Sequence, residues 1–207
     1  IYNTKDLNSV VSEIKKEKFD FIHLQHEDLL PQLQQHLKDE KVAITAHCGW
    51  AENYEYYEPY YWRTFKSILD SKHFIFALSE SIKQNYMNFG YDPNKIFITK
   101  NGVNTDIYQK TFEPRFPDRS IYLGKIENRK RQHLLSDVEL NIDFAGFGET
   151  LKLSESNRFI GQWSKTNVYS KLTEYANLIL LSISEAHPLV CMEALSAGLG
   201  LVISEKS

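Results

Sequence analysis

Short apolar runs alternate with longer amphipathic stretches along the chain. "FDFIHLQ" (19–25), "KVAITAH" (41–47) and "HFIFALS" (73–79) have the length and composition of buried strands. Between them, "LNSVVSEIKKEK" (7–18), "EDLLPQLQQHLKD" (27–39) and "YYWRTFKSILDS" (60–71) carry helical spacing. Pro31 falls in the first turn of the second of these, where its missing N–H costs little. A second series follows residue 117, with strands expected at "SIYLGK" (120–125), "NIDFAG" (141–146), "RFIGQ" (158–162), "NLILLSIS" (177–184) and "GLVIS" (200–204). "NRKRQHLLSDV", "KTNVYSKLTEYA" and "PLVCMEALSA" are the helical stretches between them. Strands separated by helical crossovers form parallel sheets, so the fold class is α/β with two parallel-sheet layers. The polar, proline-containing segment "NGVNTDIYQKTFEPRFPDRS" reads as a linker. The expected division is a first domain at 1–100, a linker at 101–119 and a second domain at 120–207. Because the chain opens on Ile1 and its last apolar run stops three residues before the end, the first domain is expected to be incomplete at its N-terminus and the second at its C-terminus.

Composition narrows the class without naming a function. Among the 207 residues, 42% are hydrophobic and 25% charged, as in ordinary globular proteins. A net charge of −3 supplies no general attraction for nucleic acid or acidic membranes, and no nucleic-acid partner is expected. Cys48 and Cys191 lie far apart and fit no metal or redox spacing; two free thiols point to a reducing, cytoplasmic setting. No apolar run approaches a membrane span and no signal peptide is visible, while peripheral membrane association and oligomeric state stay open.

Candidate chemistry concentrates in "SEAHPLVCMEALSAG" (184–198), where Glu185 and Glu193 have seven residues between them. Glu185 falls in the loop after a strand, and Pro188 is placed to open a helix. The amides of Leu189 and Val190 then lie at the helix start, where unpaired N–H groups and the helix dipole attract phosphate. Carboxylates bind vicinal hydroxyls well, so hydroxyls at both ends of a ligand with phosphates between them, a nucleotide sugar, would suit this segment. Two solvent-exposed helix acids account for the same spacing. Upstream, "YLGKIENRKRQ" puts Gly124, Lys125 and Lys130 at a strand-to-helix turn; it is either a solvated basic helix start or a pair of cations for a diphosphate. "FAGFGE" (144–149) is a G-x-G turn without the third glycine of a dinucleotide fingerprint. There is no Walker sequence, H-E-x-x-H or G-x-S-x-G, and no metal site is expected. The aromatic run "NYEYYEPYYW" (53–62) either packs its rings on the first domain or offers an acceptor surface.

Taken in order, these pieces resemble the group-1 (family 4) retaining glycosyltransferases of the GT-B fold, with two Rossmann-like layers. "FALSESIKQNYMNFGYDPNKIFITKNGVNTDIY" is similar to the family segment ending in N-G-V-D-T-x-x-F; Asn101, Gly102, Val103 and Thr105 match, while Asn104 and Tyr108 replace Asp and Phe. "YLGKIENRK" resembles G-R-L-x-x-x-K, with Lys125 for arginine and Lys130 matching. "SEAHPLVCMEALSAGLGLVIS" resembles the E-x(7)-E motif, with Gly200 for a proline. The resemblance implies that Lys125 and Lys130 bind the donor diphosphate together with the Leu189 and Val190 amides. Glu185 would hold donor-sugar hydroxyls, with His187 and Pro188 beside it. Glu193 would take the ribose hydroxyls, and Gly161 and Gln162 would lie near the base. In the first domain, "TAHCG" looks like the segment whose histidine faces the donor sugar, which makes His47 a catalytic candidate with Glu185 and Lys130; a buried, satisfied histidine is the other reading of His47.

The activity so implied is metal-independent, cofactor-free transfer of a hexosyl group from a nucleoside diphosphate sugar to an acceptor hydroxyl. Retention at the anomeric carbon, a carbohydrate or lipid-linked acceptor, and a place in polysaccharide or glycoconjugate biosynthesis come with it. The alternative is a non-catalytic nucleotide-sugar-binding or scaffold subunit derived from such an enzyme. An epimerase or phosphorylase would need other acid, base or lysine residues, and an NAD-dependent oxidoreductase lacks its fingerprint here.

Overall fold

The computed structural model describes residues 6–47, 59–108, 113–205 and 207. Cys48 and most of the aromatic run 53–62 lie outside the described residues; of that run, only the Trp62 side chain is seen, packed against Phe65 and Phe89 at ring distances of 5.7 and 6.1 Å. The chain divides into two compact units, Ile1–Lys100 and Asn101–Ser207.

In the first unit, strands β1 (Ile22–Leu24), β2 (Val42–Ala46), β3 (Phe74–Ala77) and β4 (Ile96–Ile98) form a parallel sheet in that order. All five residues of β2 are buried, as expected of a parallel strand covered on both faces. The helices start where short polar side chains cap them. Asp6 accepts from the Ser9 amide (3.2 Å) ahead of α1 (Leu7–Lys16), and Ser79 accepts from the Ile82 amide (3.2 Å) ahead of α4 (Glu80–Asn88). Helix α4 ends at Gly90, whose φ of 84° suits the left-handed terminus. Helix α3 runs from Pro59 to Ser71 and contributes Phe65 and Ile68 to the core. The short strand β4 was not among the sequence expectations, although "IFI" has strand composition.

The stretch expected as one helix at 27–39 is instead a 3₁₀ turn (Glu27–Leu29), a four-residue α2 (Leu30–Leu33) and another 3₁₀ turn (Gln34–His36). Leu30, Leu33 and Leu37, three and then four positions apart, still share one face and are all buried.

The second unit holds β5 (Phe116–Leu123), β6 (Ile142–Ala145), β7 (Arg158–Phe159), β8 (Tyr175–Leu180) and β9 (Gly200–Ile203), all parallel, in the order β7-β6-β5-β8-β9. Ile121, Ile142, Phe144, Leu178 and Leu180 fill its core with Ala194 and Ala197 of α6 (Leu189–Ala197), and α5 (Lys165–Lys171) begins at a Ser164 cap. Of the residues expected as a linker at 101–119, the described ones belong to this unit. The Asn101 amide donates to the His187 carbonyl (2.9 Å), Tyr108 is buried in the core, and residues 116–119 open β5.

The stretch "NRKRQHLLSDV" is not a continuous helix. It forms two 3₁₀ turns, Asn128–Lys130 and Gln132–Leu134, around Arg131 in the left-handed conformation (φ 57°). Side chains claim the backbone groups a helix would use. The Tyr122 hydroxyl donates to the Lys130 carbonyl, while the buried Gln132 amide donates to the Lys125 carbonyl (2.7 Å) and accepts from the Glu127 N–H (3.4 Å).

Candidate functional site

The chain leaves β5 for β6 and β7 on one side, then returns to place β8 on the other. The reversal leaves a crevice at the carboxyl ends of β5 and β8, the position where open parallel sheets bind ligands. Residues 124–130 follow β5 and residues 181–188 follow β8, so the sequence candidates on these two loops meet there.

The meeting point is Glu185. Its Oε1 accepts from Lys130 Nζ and from Arg129 Nη1 (3.1 Å). The side chains of Lys130 and Glu185 are only 14% and 12% exposed. Burial opposes ionisation of Glu185, but the Lys130 charge and hydrogen bond, aided by Arg129, outweigh it and hold the carboxyl below its ordinary range. One backbone bond and one side-chain bond tie the loops together: the Ile183 N–H donates to the Arg129 carbonyl (2.9 Å), and Arg129 Nη1 donates to the Ser184 carbonyl (2.7 Å). Tyr122 adds a strut, accepting from the Leu181 N–H (2.8 Å) while donating to the Lys130 carbonyl.

Lys125 and Lys130 do not act as an isolated cation pair. Lys125 Nζ meets Glu127 Oε2 at 2.9 Å, and Arg129 meets Glu127 Oε1 at 3.0 and 3.2 Å. Glu127 and Arg129 carried no role in the sequence reading. Their alternation of sign within "KIENRK" is the pattern that marks them.

Glycines form the floor. The Gly124 N–H donates to Ala145 (3.0 Å), and the Gly146 N–H to Gly161 (2.9 Å). A Cβ on Gly146 would sit 1.8 Å from the Gly124 carbonyl oxygen, and one on Gly148 would sit 2.1 Å from that of Ile126. The "FAGFGE" turn is therefore a requirement of close backbone approach beneath the crevice. Gly161 belongs to this floor, and Gln162 is exposed beside it.

Pro188 is the N-cap of α6 rather than its first helical residue, because its ψ of 113° is extended. It supplies no side-chain cap; the helical turns begin at Leu189 and Val190, so the two candidate amides are in the first turn. His187 is anchored through its carbonyl by Asn101, and its Nδ1 is buried without a hydrogen-bond partner. Glu193 does not join the Glu185 cluster. It lies near Tyr108 and Lys165, and burial pushes its carboxyl up. Tyr108 crosses Tyr169 edge-on at 5.6 Å, and Lys165 sits 5.8 Å from the Tyr169 ring centre.

In the first unit, His47 follows β2 and is exposed, which removes the buried-histidine reading. Its N–H donates to the Glu27 carboxylate (3.0 Å), and its ring stacks on His26 at 5.8 Å. Among the described residues, no group of three or more His, Cys, Asp or Glu is placed to hold a metal ion, and no helix is long and apolar enough to cross a membrane. Cys191 is a buried free thiol pushed up to about 11 by its burial.

Two parallel α/β units, the second with its polar cluster at the strand-order reversal, define the GT-B architecture of glycosyltransferases. HepE of Anabaena, in complex with UDP-glucose, superposes with a TM-score of 0.79 at 13% identity, over 97% of this chain and 63% of that one. A variant of TarM from S. aureus, in complex with fondaparinux, α-GlcNAc-glycerol and UDP, gives 0.72 at 17% identity, over 93% and 43%. Sucrose-phosphate synthase from Thermosynechococcus elongatus gives 0.76 at 14% identity, over 98% and 60%. The chain thus spans less than two thirds of the length of each of these three proteins. No curated protein sequence matches it. The chain belongs to Glycosyltransferase Family 4, whose family model matches residues 2–107.

Proposed function

We propose that the protein transfers a sugar from a nucleoside diphosphate sugar to an acceptor hydroxyl, with retention at the anomeric carbon and without a metal ion. The observation that carries this reading is the Lys130–Glu185 pair at the carboxyl ends of β5 and β8, flanked by Arg129 and the start of α6. The similar structures of HepE and TarM hold UDP-glucose and UDP, which supports a nucleotide-sugar ligand here.

Lys125, Lys130 and the Leu189 and Val190 amides hold the diphosphate. Their fixed positive field stabilises the charge that develops as the sugar–phosphate bond breaks. Glu185 is held ionised and accepts hydrogen bonds from donor-sugar hydroxyls, with His187 and Pro188 shaping the turn beside it. Glu193 takes the ribose hydroxyls, and the floor at Gly161 and Gln162 lies toward the base. His47, just after β2, is the first unit's candidate residue for the donor sugar. The leaving phosphate accepts the acceptor's proton, so no carboxylate nucleophile is required. The acceptor is a carbohydrate or lipid-linked hydroxyl, and the reaction belongs to polysaccharide or glycoconjugate assembly in the cytoplasm.

The test is release of nucleoside diphosphate from UDP-, GDP- and ADP-sugars. The wild type is expected to turn over one of these, and Glu185→Ala and Lys130→Ala to lose at least about 100-fold, the scale of removing a transition-state electrostatic contact. Wild-type turnover in both variants would remove the site assignment. Nucleotide binding with no turnover by the wild type would favour the non-catalytic binding subunit.

A further inference from the structure

The charges on the two loops form a continuous chain. Lys125 pairs with Glu127, Glu127 with Arg129, Arg129 with Glu185, and Glu185 with Lys130. Three cations thus share two carboxylates at the place assigned to a diphosphate. Arg129 is central to this chain: its Nε and Nη2 meet Glu127 while Nη1 meets Glu185 and the Ser184 carbonyl. The guanidinium edge that grips a carboxylate has the geometry to grip a phosphate, which Lys125, a point charge, cannot reproduce.

We propose that Arg129 is a third ligand of the donor diphosphate and that Glu127 is a built-in counter-anion competing with it for Lys125 and Arg129. The proposal rests on the nucleotide-sugar reading and adds two residues to it. When the diphosphate binds, Arg129 and Lys125 turn from Glu127 to phosphate oxygens, and Glu185 exchanges its Arg129 contact for sugar hydroxyls. Glu127 keeps its charge beside the phosphates and therefore weakens binding. A small part of the site's affinity is thereby given up, while its cations stay neutralised and ordered before the donor arrives. Glu127 is itself held ionised: burial opposes its charge, but Lys125 and Arg129 outweigh that and keep its carboxyl below the ordinary range.

The proposal separates phosphate affinity from base affinity, and calorimetric titration reads both. UDP, GDP and ADP, each with its parent nucleoside, are titrated against wild type, Arg129→Gln, Arg129→Lys and Glu127→Gln. For the nucleotide that binds, Arg129→Gln is expected to weaken the diphosphate about tenfold and leave the nucleoside unchanged, with Arg129→Lys between. Glu127→Gln is expected to tighten the diphosphate about threefold to fivefold, a gain that misfolding cannot produce. In Glu127→Gln/Arg129→Gln the gain should shrink, because half of the competition is over Arg129. Equal weakening of nucleoside and diphosphate by Arg129→Gln would make Arg129 a loop strut and overturn the proposal. So would weaker diphosphate binding in Glu127→Gln. A wild type that binds none of the three diphosphates would overturn the functional reading itself, together with this addition to it.

Discussion

Replacing Asp143 by Asn should cost the second unit about 3 kcal/mol, the lower end of the range for breaking a buried ion pair by removing one partner. Asp143 lies in β6, and its side chain is 1% exposed. Its Oδ1 accepts from Arg119 Nε (3.0 Å) and Arg158 Nε (2.8 Å), and its Oδ2 accepts from Arg158 Nη2 (2.5 Å) and the Tyr175 hydroxyl (2.7 Å). Arg158 is 49% exposed, so solvent screens much of its share, and about 0–1 kcal/mol is assigned to it. The larger share comes from Arg119, which also donates to the Ser156 carbonyl (2.8 Å), and from Tyr175. An Asn amide must turn its N–H₂ toward at least one guanidinium N–H, and although the Tyr175 hydroxyl can reverse and accept, a guanidinium can only donate, so at least one arginine donor loses its acceptor. Burial opposes the charge of Asp143, but Arg158, Tyr175 and Arg119 hold its pKa below the ordinary value. A depressed carboxyl stabilises the fold fully above its unfolded pKa and loses that contribution as pH falls through the folded one. Wild-type stability should therefore fall below about pH 4, and Asp143→Asn should lack that component of the fall. Urea unfolding followed by fluorescence and circular dichroism measures this. At neutral pH the midpoint should drop by about 1–3 M, given a slope of roughly 1–3 kcal/mol/M. A cost under about 1 kcal/mol with unchanged acid sensitivity would show that Asp143 does not hold these groups together.

Gly146→Ala should destabilise the second unit and impair donor binding together, because its Cβ would meet the Gly124 carbonyl oxygen at 1.8 Å; a thermal melt with the wild-type midpoint would contradict this. Asn101→Ala removes the bond to the His187 carbonyl and should raise KM for the donor severalfold with a smaller effect on kcat, read by steady-state kinetics. Glu185→Gln removes a carboxylate held below its ordinary range by Lys130, so the acid sensitivity of donor turnover between about pH 5 and 3 should change in this variant. An identical pH profile would place the responsible group elsewhere.

The β/α alternation was legible because parallel strands buried on both faces become short apolar runs, as in "VAITA" and "NLILL". Both loops of the polar cluster were legible too, through Lys130 and Glu185. The form of the second turn was not. A basic, amphipathic "NRKRQHLLSDV" reads as a helix, and only the distant Tyr122 hydroxyl and the buried Gln132 amide, by taking backbone groups, break it at Arg131. Arg129 was hidden for the same reason, since helical spacing gave no cause for it to face Glu185. The segment 101–119 looked like a linker from its prolines and polar residues. Its attachment to the second unit depends on a hydrogen bond across 86 residues, Asn101 to His187, and on burial of Tyr108.

The assignment of a diphosphate to the loops after β5 and β8, with Lys130 and Glu185 at their junction, is put to the test by calorimetric titration. UDP, GDP and ADP are titrated into the wild type and into Lys130→Ala. One of the three is expected to bind the wild type, and Lys130→Ala to weaken it by tenfold or more, while its parent nucleoside is unaffected. No binding of any of the three, or equal affinity in Lys130→Ala, would contradict it.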